Sequence, residues 1–205
     1  MTIGIIILAA GESVRMGEPK QLLAYRGGTL LHHAIETALT LPGTPVIVVL
    51  GAHAARIRAQ VRDPGVFITE NPDWRTGMGG SICAGLNALL TAHPGIAAAL
   101  FLLCDQPLVS ASHLGNLVAT HERTGRAIVA SEYGGVLGVP ALFSRTMFPE
   151  LLALNGTDGA RQIIQTQRDQ AMGITFQDGA IDIDTPADYA RLRSSPNDFP
   201  APAPV

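Results

Sequence analysis

The chain has 205 residues, of which 47% are apolar and 15% charged, a composition typical of one globular domain with a sizeable core. Its formal net charge of -3 provides no basic field, which argues against nucleic acid or an anionic membrane as a partner. No apolar run approaches the roughly 20 residues of a membrane span, and the apolar start lacks the basic region of a signal peptide. The sequence therefore predicts a soluble, cytoplasmic protein.

The first predicted strand, residues 3–8, leads into a glycine-marked loop that begins with Leu8, Ala9, Ala10 and Gly11. Arg15 and Lys20 add two positive charges to this loop, a combination that suits a polyphosphate. The spacing fits neither a Walker A loop nor the GxGxxG dinucleotide fingerprint. A surface turn with incidental charges is the alternative interpretation.

The next segments alternate between strand and helix patterns. Thr29 is a predicted N-cap for a helix over residues 30–39, and a second helix is predicted over 52–62. Residues 46–50 and 66–69 are apolar runs without polar alternation, which predicts strands that are buried on both faces. This rhythm indicates a three-layer α/β domain with a mostly parallel central sheet, and we expect one antiparallel strand near its carboxyl end.

Residues 71–81 form a second glycine-rich segment, which we predict to be irregular, with Ser81 as the N-cap of the helix that follows. Free N–H groups at a helix start favour an anion or a polar ligand edge. A flexible connection with an N-cap serine explains the pattern equally well.

The most apolar predicted strand, residues 97–104, ends in Asp105. Ligands of open α/β sheets bind at the carboxyl ends of the strands, so Asp105 is the best candidate for a metal ligand. Its alternative role is to cap the next turn, but Ser110 is better placed to cap the helix predicted over 111–122. The two cysteines, Cys83 and Cys104, lack metal-ligand spacing and are predicted to be buried free thiols.

Near the carboxyl end, Thr185 and Asp188 have the spacing of a capping box, which predicts a helix start. We expect Asp182 and Asp184 to lie on one face of a strand before this helix, with Ile181 and Ile183 on the opposite face. Residues 1–193 are then a single domain, and residues 194–205 are predicted to be a disordered Pro/Ala-rich tail.

Residues 8–23 resemble the amino-terminal signature of the nucleotidyltransferases that attach a nucleotide to molybdopterin. The pattern here is Leu-Ala-Ala-Gly-x-Ser-x-Arg-Met-Gly-x-x-Lys-x-Leu-Leu, and it is most similar to the molybdenum cofactor cytidylyltransferase branch. The resemblance covers residues 3–192, and it implies the Rossmann-like fold of that family.

The resemblance also implies an activity: transfer of a cytidylyl group from CTP to the terminal phosphate of molybdopterin, with release of pyrophosphate. Arg15, Lys20 and Asp105 would be catalytic, and Asp105 would bind Mg²⁺ together with one of the two later acids, for which we favour Asp184 over Asp182. The nucleotide would contact Leu8, Ala9, Ala10, Gly11, Arg15, Lys20, Gly80 and Ser81, the last two on the side of the base. Ala10 favours CTP, because the guanylyltransferase branch tends to carry glycine there.

Two positions depart from the family pattern. Val139 replaces a common histidine, and Thr157 replaces an acid; both departures bear on the acceptor rather than on the nucleotide. A related nucleotidyltransferase that uses GTP, or a sugar phosphate or another phosphorylated acceptor, is one alternative. The other is a noncatalytic carrier that passes the finished cofactor to a molybdenum hydroxylase, which is also the expected transient partner of the enzyme.

Overall fold

The structure is a computed structural model that describes residues 2–194. Its strands are β1 (Ile3–Ala9), β2 (Ala24–Tyr25), β3 (Gly28–Thr29), β4 (Val46–Leu50), β5 (Val66–Glu70), β6 (Ala98–Leu103), β7 (Ile128–Tyr133), β8 (Val136–Ser144) and β9 (Ala171–Thr175). Seven of them form one sheet in the order β5-β4-β1-β6-β8-β7-β9, and β2 pairs with β3. Only β8 runs antiparallel to its neighbours in that described sheet. The predicted mostly parallel sheet with one antiparallel strand is confirmed.

Helices cover both faces of the sheet. They are α1 (Leu30–Leu39), α2 (Ala54–Arg58), α3 (Met78–Ala92), α4 (Ala111–Thr124), α5 (Phe148–Leu152), α6 (Ala160–Thr166) and α7 (Pro186–Ser194). Strand β1 sends Ile6 and Leu8 into a core formed with α3, α5 and α6. It sends Ile5 and Ile7 into the opposite core, formed with α1, α2 and α4. The three-layer prediction is confirmed, and two apolar faces explain why β1 shows no polar alternation.

Three predicted helix starts are confirmed by their side-chain caps. Thr29 Oγ1 accepts a hydrogen bond from His32 N at 3.2 Å, and Ser110 Oγ accepts one from His113 N at the same distance. At α7, Thr185 N donates to Asp188 Oδ2 (2.8 Å), while Asp188 N donates to Thr185 Oγ1 (3.2 Å). This reciprocal pair is a capping box, and it fixes where the chain turns after residue 184.

The helix predicted over residues 52–62 is much shorter in the structure, where α2 spans Ala54–Arg58. It cannot begin earlier because Ala52 N donates to Ala10 O (3.0 Å), which ties this segment to the first loop. It ends early because Gln60 N and Val61 N bond three residues back, to Ile57 O and Arg58 O, in tighter turns than an α-helix.

Cys104 is buried and Cys83 is half-buried, so the prediction of burial is right for the first and wrong for the second; both thiols are free. None of the helices within residues 2–194 combines the length and the apolar character needed to cross a bilayer. Helix α7 extends to Ser194, the first residue of the predicted tail, and residues 195–205 lie outside the described part of the chain.

Candidate active site

A cleft of about 360 Å³ opens at the carboxyl ends of the paired strands β1 and β6, beside the start of α3. Its lining includes many of the predicted site residues: Leu8, Ala9, Ala10, Gly11, Lys20, Ser81 and Asp105. Arg15, Gly80 and Asp184 are not among the lining residues. The structure therefore brings the predicted phosphate loop and the predicted metal ligand together at the edge where open α/β sheets bind ligands.

Gln21 holds the first loop in shape, a role that sequence reasoning missed. The side chain is 1% exposed, and its Nε2 donates to Ala9 O and to Gly11 O, both at 2.9 Å. Ser13 adopts a left-handed backbone conformation (φ 62°), and its Oγ accepts a hydrogen bond from Lys20 N at 3.1 Å. These bonds close the loop so that Lys20 returns to the cleft. The only signal in the sequence was the position of this glutamine directly after the loop lysine.

Lys20 stands between two carboxylates at the closed end of the loop. Its Nζ donates to Asp105 Oδ2 in a very short contact and to Asp184 Oδ1 at 2.8 Å. Arg15 donates from its guanidinium to the other oxygen of Asp184, also at 2.8 Å. Only 14% of the Lys20 and Asp105 side chains is exposed, whereas Arg15 is 70% exposed. The resulting network contains every charged residue that we predicted to be catalytic.

Two groups of this network, Lys20 and Asp184, have pKa values that are shifted in favour of their ionised forms. Burial alone would lower the pKa of Lys20, but the adjacent Asp105 and Asp184 carboxylates outweigh it and raise that pKa above its usual value. Partial burial would raise the pKa of Asp184, yet the hydrogen bond and charge of Lys20, with the charge of Arg15, lower it. Lys20 therefore remains a full cation at neutral pH.

The segment that carries Asp182 and Asp184 is not the predicted strand. It is an irregular extended stretch, held by a hydrogen bond from Ile183 N to Asp105 O at 2.9 Å. Ile183 is buried but Ile181 is 44% exposed, so the two do not share a buried face. Desolvation and the charge of Asp105 raise the pKa of Asp182 to about 6. Both later acids thus lie near Asp105, although no strand aligns them.

The second loop forms the opposite wall of the cleft, and here one prediction is wrong. Helix α3 begins at Met78 with Gly77 as its N-cap, so Ser81 lies inside the first turn and caps nothing. Ser81 Oγ instead accepts a hydrogen bond from Asn71 Nδ2 at 3.0 Å. Gly80 does not line the cleft, and a Cβ added to it would point at the same asparagine, 3.1 Å from Asn71 Nδ2. The helix starts early because Gly79 N is bonded to Gly156 O, a contact that the local sequence does not reveal.

Gly77 allows this loop to pack, and we expect Gly77→Ala to destabilise the protein by about 2 kcal/mol or more. Its φ is 129°, and an added Cβ would lie 2.1 Å from Gly156 O, a backbone atom that cannot rotate away. Urea unfolding measures the effect. Gly115→Ala is the matched control, because a Cβ there meets nothing within 4 Å and the change should be neutral or stabilising. Equal stability of the Gly77 variant and the wild type would contradict this account.

The residues around Lys20 fit a divalent cation. Asp105 Oδ1 is buried and has no hydrogen-bond partner, although its sister oxygen contacts Lys20. Within residues 2–194, no group of three or more His, Cys, Asp or Glu side chains is placed to hold a metal ion. A buried carboxylate oxygen without a partner is the kind of ligand that a hard divalent cation takes, alongside substrate phosphates and water.

The two departures from the family pattern lie outside the cleft lining. Val139 is on β8, where its carbonyl accepts hydrogen bonds from Gln106 Nε2 (3.4 Å) and Tyr133 OH (3.2 Å). Thr157 lies in the loop that packs against Gly77. Neither substitution changes the surface that would hold the nucleotide.

The profile of the family described as "MobA-like NTP transferase domain" matches residues 5–171. The chain belongs to this family. This MobA-like protein is 35% identical over 169 residues to the nicotine blue oxidoreductase of Paenarthrobacter nicotinovorans, covering 78% of this chain and 80% of that one. It is 30% identical to the purine catabolism protein PucB of Bacillus subtilis, over 92% and 94% of the two chains.

Among solved structures, Rv0371c of Mycobacterium tuberculosis superposes with a TM-score of 0.82 at 30% identity, covering 95% of this chain and 99% of that one. A complex of the same mycobacterial protein with manganese superposes with a TM-score of 0.78. The predicted nucleotidyltransferase fold is confirmed, and the resemblance is confirmed at the level of the MobA-like NTP transferases. A divalent metal is consistent with the manganese complex.

Proposed function

We propose that this MobA-like protein transfers a cytidylyl group from CTP to the terminal phosphate of molybdopterin, with Mg²⁺ as cofactor. An oxygen of the acceptor phosphate attacks the α-phosphorus of CTP, the bond to the β-phosphate breaks, and its electron pair leaves with pyrophosphate. The product is molybdopterin cytosine dinucleotide.

The observation that carries the proposal is the network of Lys20, Asp105 and Asp184 at the end of a cleft of nucleotide size. A cleft of about 360 Å³ is at the lower end of the usual range for small-molecule sites, so it suits one nucleotide. Positive side chains and carboxylates in one cluster are what phosphoryl chemistry requires, since its transition state is stabilised by positioning and charge.

The cleft lacks an activated protein nucleophile among its described lining residues. Burial raises the pKa of Cys104 to about 12, so its thiol stays protonated. Ser81 is hydrogen-bonded to Asn71, and no histidine lines the cleft in the part of the chain that the structure describes. An acceptor phosphate is already ionised at neutral pH and needs no such group, which favours direct transfer over a covalent enzyme intermediate.

Each charged residue then has a distinct task. Lys20 exchanges its carboxylate partners for oxygens of the phosphates that bear the developing charge, and Arg15, which is largely exposed, reaches the β and γ phosphates. Asp105 and Asp184 would hold Mg²⁺, which neutralises phosphate charge when it is bound. The backbone of residues 8–11 lies against the nucleotide.

The choice of CTP rests on Ala10. Ala10 lines the cleft and is 6% exposed. Its Cβ is tightly surrounded, since a Cβ added to Gly51 would lie only 2.9 Å from it. A methyl group in so confined a place can shape the base pocket, although small apolar differences discriminate by only about 1–3 kcal/mol. The client that we propose, from the resemblance to the molybdenum cofactor branch, is a molybdenum hydroxylase.

The test is to incubate the purified protein with Mg²⁺, molybdenum-loaded molybdopterin and each nucleoside triphosphate in turn, and to identify any dinucleotide by mass. We expect the cytosine dinucleotide with CTP and little product with GTP. Product from GTP alone would overturn the base assignment but keep the reaction. Absence of product from folded protein would overturn the proposed acceptor, and a sugar phosphate or the carrier function would then be tested.

A further inference from the structure

The single tryptophan of the chain, Trp74, lies in the candidate active site. It begins a short 3-10 turn, Trp74–Thr76, between β5 and α3, and it lines the cleft together with Arg75. The Arg75 guanidinium carbon is 4.3 Å from the centroid of the Trp74 ring. Nothing in the proposed mechanism uses this pair.

The fold fixes the backbone of Trp74 at the sheet edge. A Cβ built on Gly51, which follows β4, would lie 2.6 Å from the Trp74 Cβ and 2.8 Å from Ala10 O. Trp74 is therefore packed against the carboxyl ends of β4 and β1, on the side of the loop that begins the nucleotide site. The turn itself is closed by a bond from Thr76 N to Asp73 O at 2.9 Å.

The cleft has two chemically different parts. Lys20 and Asp105 make one part charged and suited to phosphates. Trp74 contributes a large, half-buried aromatic surface to the other part of the cleft. Arg75, which lies next to it, forms no ion pair among residues 2–194. Because the cleft has room for one nucleotide, a triphosphate near Lys20 leaves the base to reach the aromatic part.

We propose that Trp74 is the stacking wall for the nucleotide base, which would use the ring face that Arg75 does not cover, with Arg75 as a cation for the same ligand. Stacking on an aromatic face is tolerant of base identity, because every base has a π-face. Trp74 thus supplies affinity for the base, while selection among bases stays with polar groups and Ala10. The inference rests on the proposed nucleotide site but not on the identity of the acceptor.

Binding is measured by calorimetry with CTP and with inorganic tripolyphosphate, both with Mg²⁺ and without acceptor. We expect Trp74→Ala to weaken CTP binding about 10-fold or more, as loss of one base–aromatic stack predicts, and to leave tripolyphosphate binding unchanged. Trp74→Phe keeps an aromatic face and should restore CTP binding to within about 3-fold of wild type. CTP, but not tripolyphosphate, should also change the fluorescence of the wild-type tryptophan.

Equal CTP affinity of the wild type and Trp74→Ala would overturn the stacking wall while leaving the proposed function intact. An equal loss of CTP and tripolyphosphate binding would show that Trp74 only supports the loop, which also overturns it. A folded wild type that binds neither ligand would instead overturn the nucleotide site itself, and with it the proposed function.

Discussion

Lys20→Met is expected to lower turnover at saturating CTP and Mg²⁺ by about 100-fold or more, the loss typical of removing one preorganised donor. Lys20 is 14% exposed at the side chain and touches both acids of the network, so water cannot replace its charge well. Methionine keeps most of the side-chain length and removes only the ammonium group. Pyrophosphate release under the proposed reaction conditions is the measurement.

The same variant should bind Mn²⁺ more tightly than the wild type when no nucleotide is present. Lys20 Nζ occupies the space between Asp105 and Asp184, and its removal leaves two carboxylates without their shared counterion. Calorimetric titration with Mn²⁺ tests this. Arg168→Met is the matched control, since it removes an equal charge from an exposed turn. If the turnover of Lys20→Met stayed within a few-fold of the wild-type value, Lys20 would have no part in the mechanism.

The fold was largely predictable because short local sequence patterns determine where most of its strands lie. The continuous apolar runs at residues 46–50 and 66–69 predict the positions of β4 and β5 almost residue for residue. Burial on both faces is right for β4 but wrong for β5, because β5 is an edge strand and Phe67 is 54% exposed. The start of α3 was not predictable, because Gly77 can serve as its N-cap only when the loop around Gly156 packs against it. Local capping preference favoured Ser81, and a long-range contact overrode it.

The site was predictable in part, for a similar reason. Asp105 follows from the rule that ligands meet the carboxyl ends of parallel strands. Its contact with Lys20, 85 residues away, and that of Lys20 with Asp184, 164 residues away, exist only in the fold. Asp184 could be proposed only from the family resemblance. Trp74 was missed because an aromatic residue in a glycine-rich loop gives no local sign of what it faces.

Asp105→Asn is expected to reduce turnover about 100- to 1,000-fold, because it removes the charge of the most buried acid in the cluster. Asparagine preserves the shape of the side chain and can still accept a hydrogen bond from Lys20. It cannot offer an anionic oxygen at the position of Oδ1, which is buried and lacks a partner. Pyrophosphate release again gives the rate, and Asp169→Asn on an exposed turn is the control.

The Asp105 and Lys20 variants should have opposite effects on Mn²⁺ affinity, although both lower turnover. Loss of a carboxylate ligand weakens cation binding, whereas loss of the competing ammonium group strengthens it. If Asp105→Asn lost activity but bound Mn²⁺ like the wild type, Asp105 would act by positioning Lys20 rather than by holding the metal. If its turnover were unchanged, neither role would stand, because the buried oxygen would then have no part in the reaction.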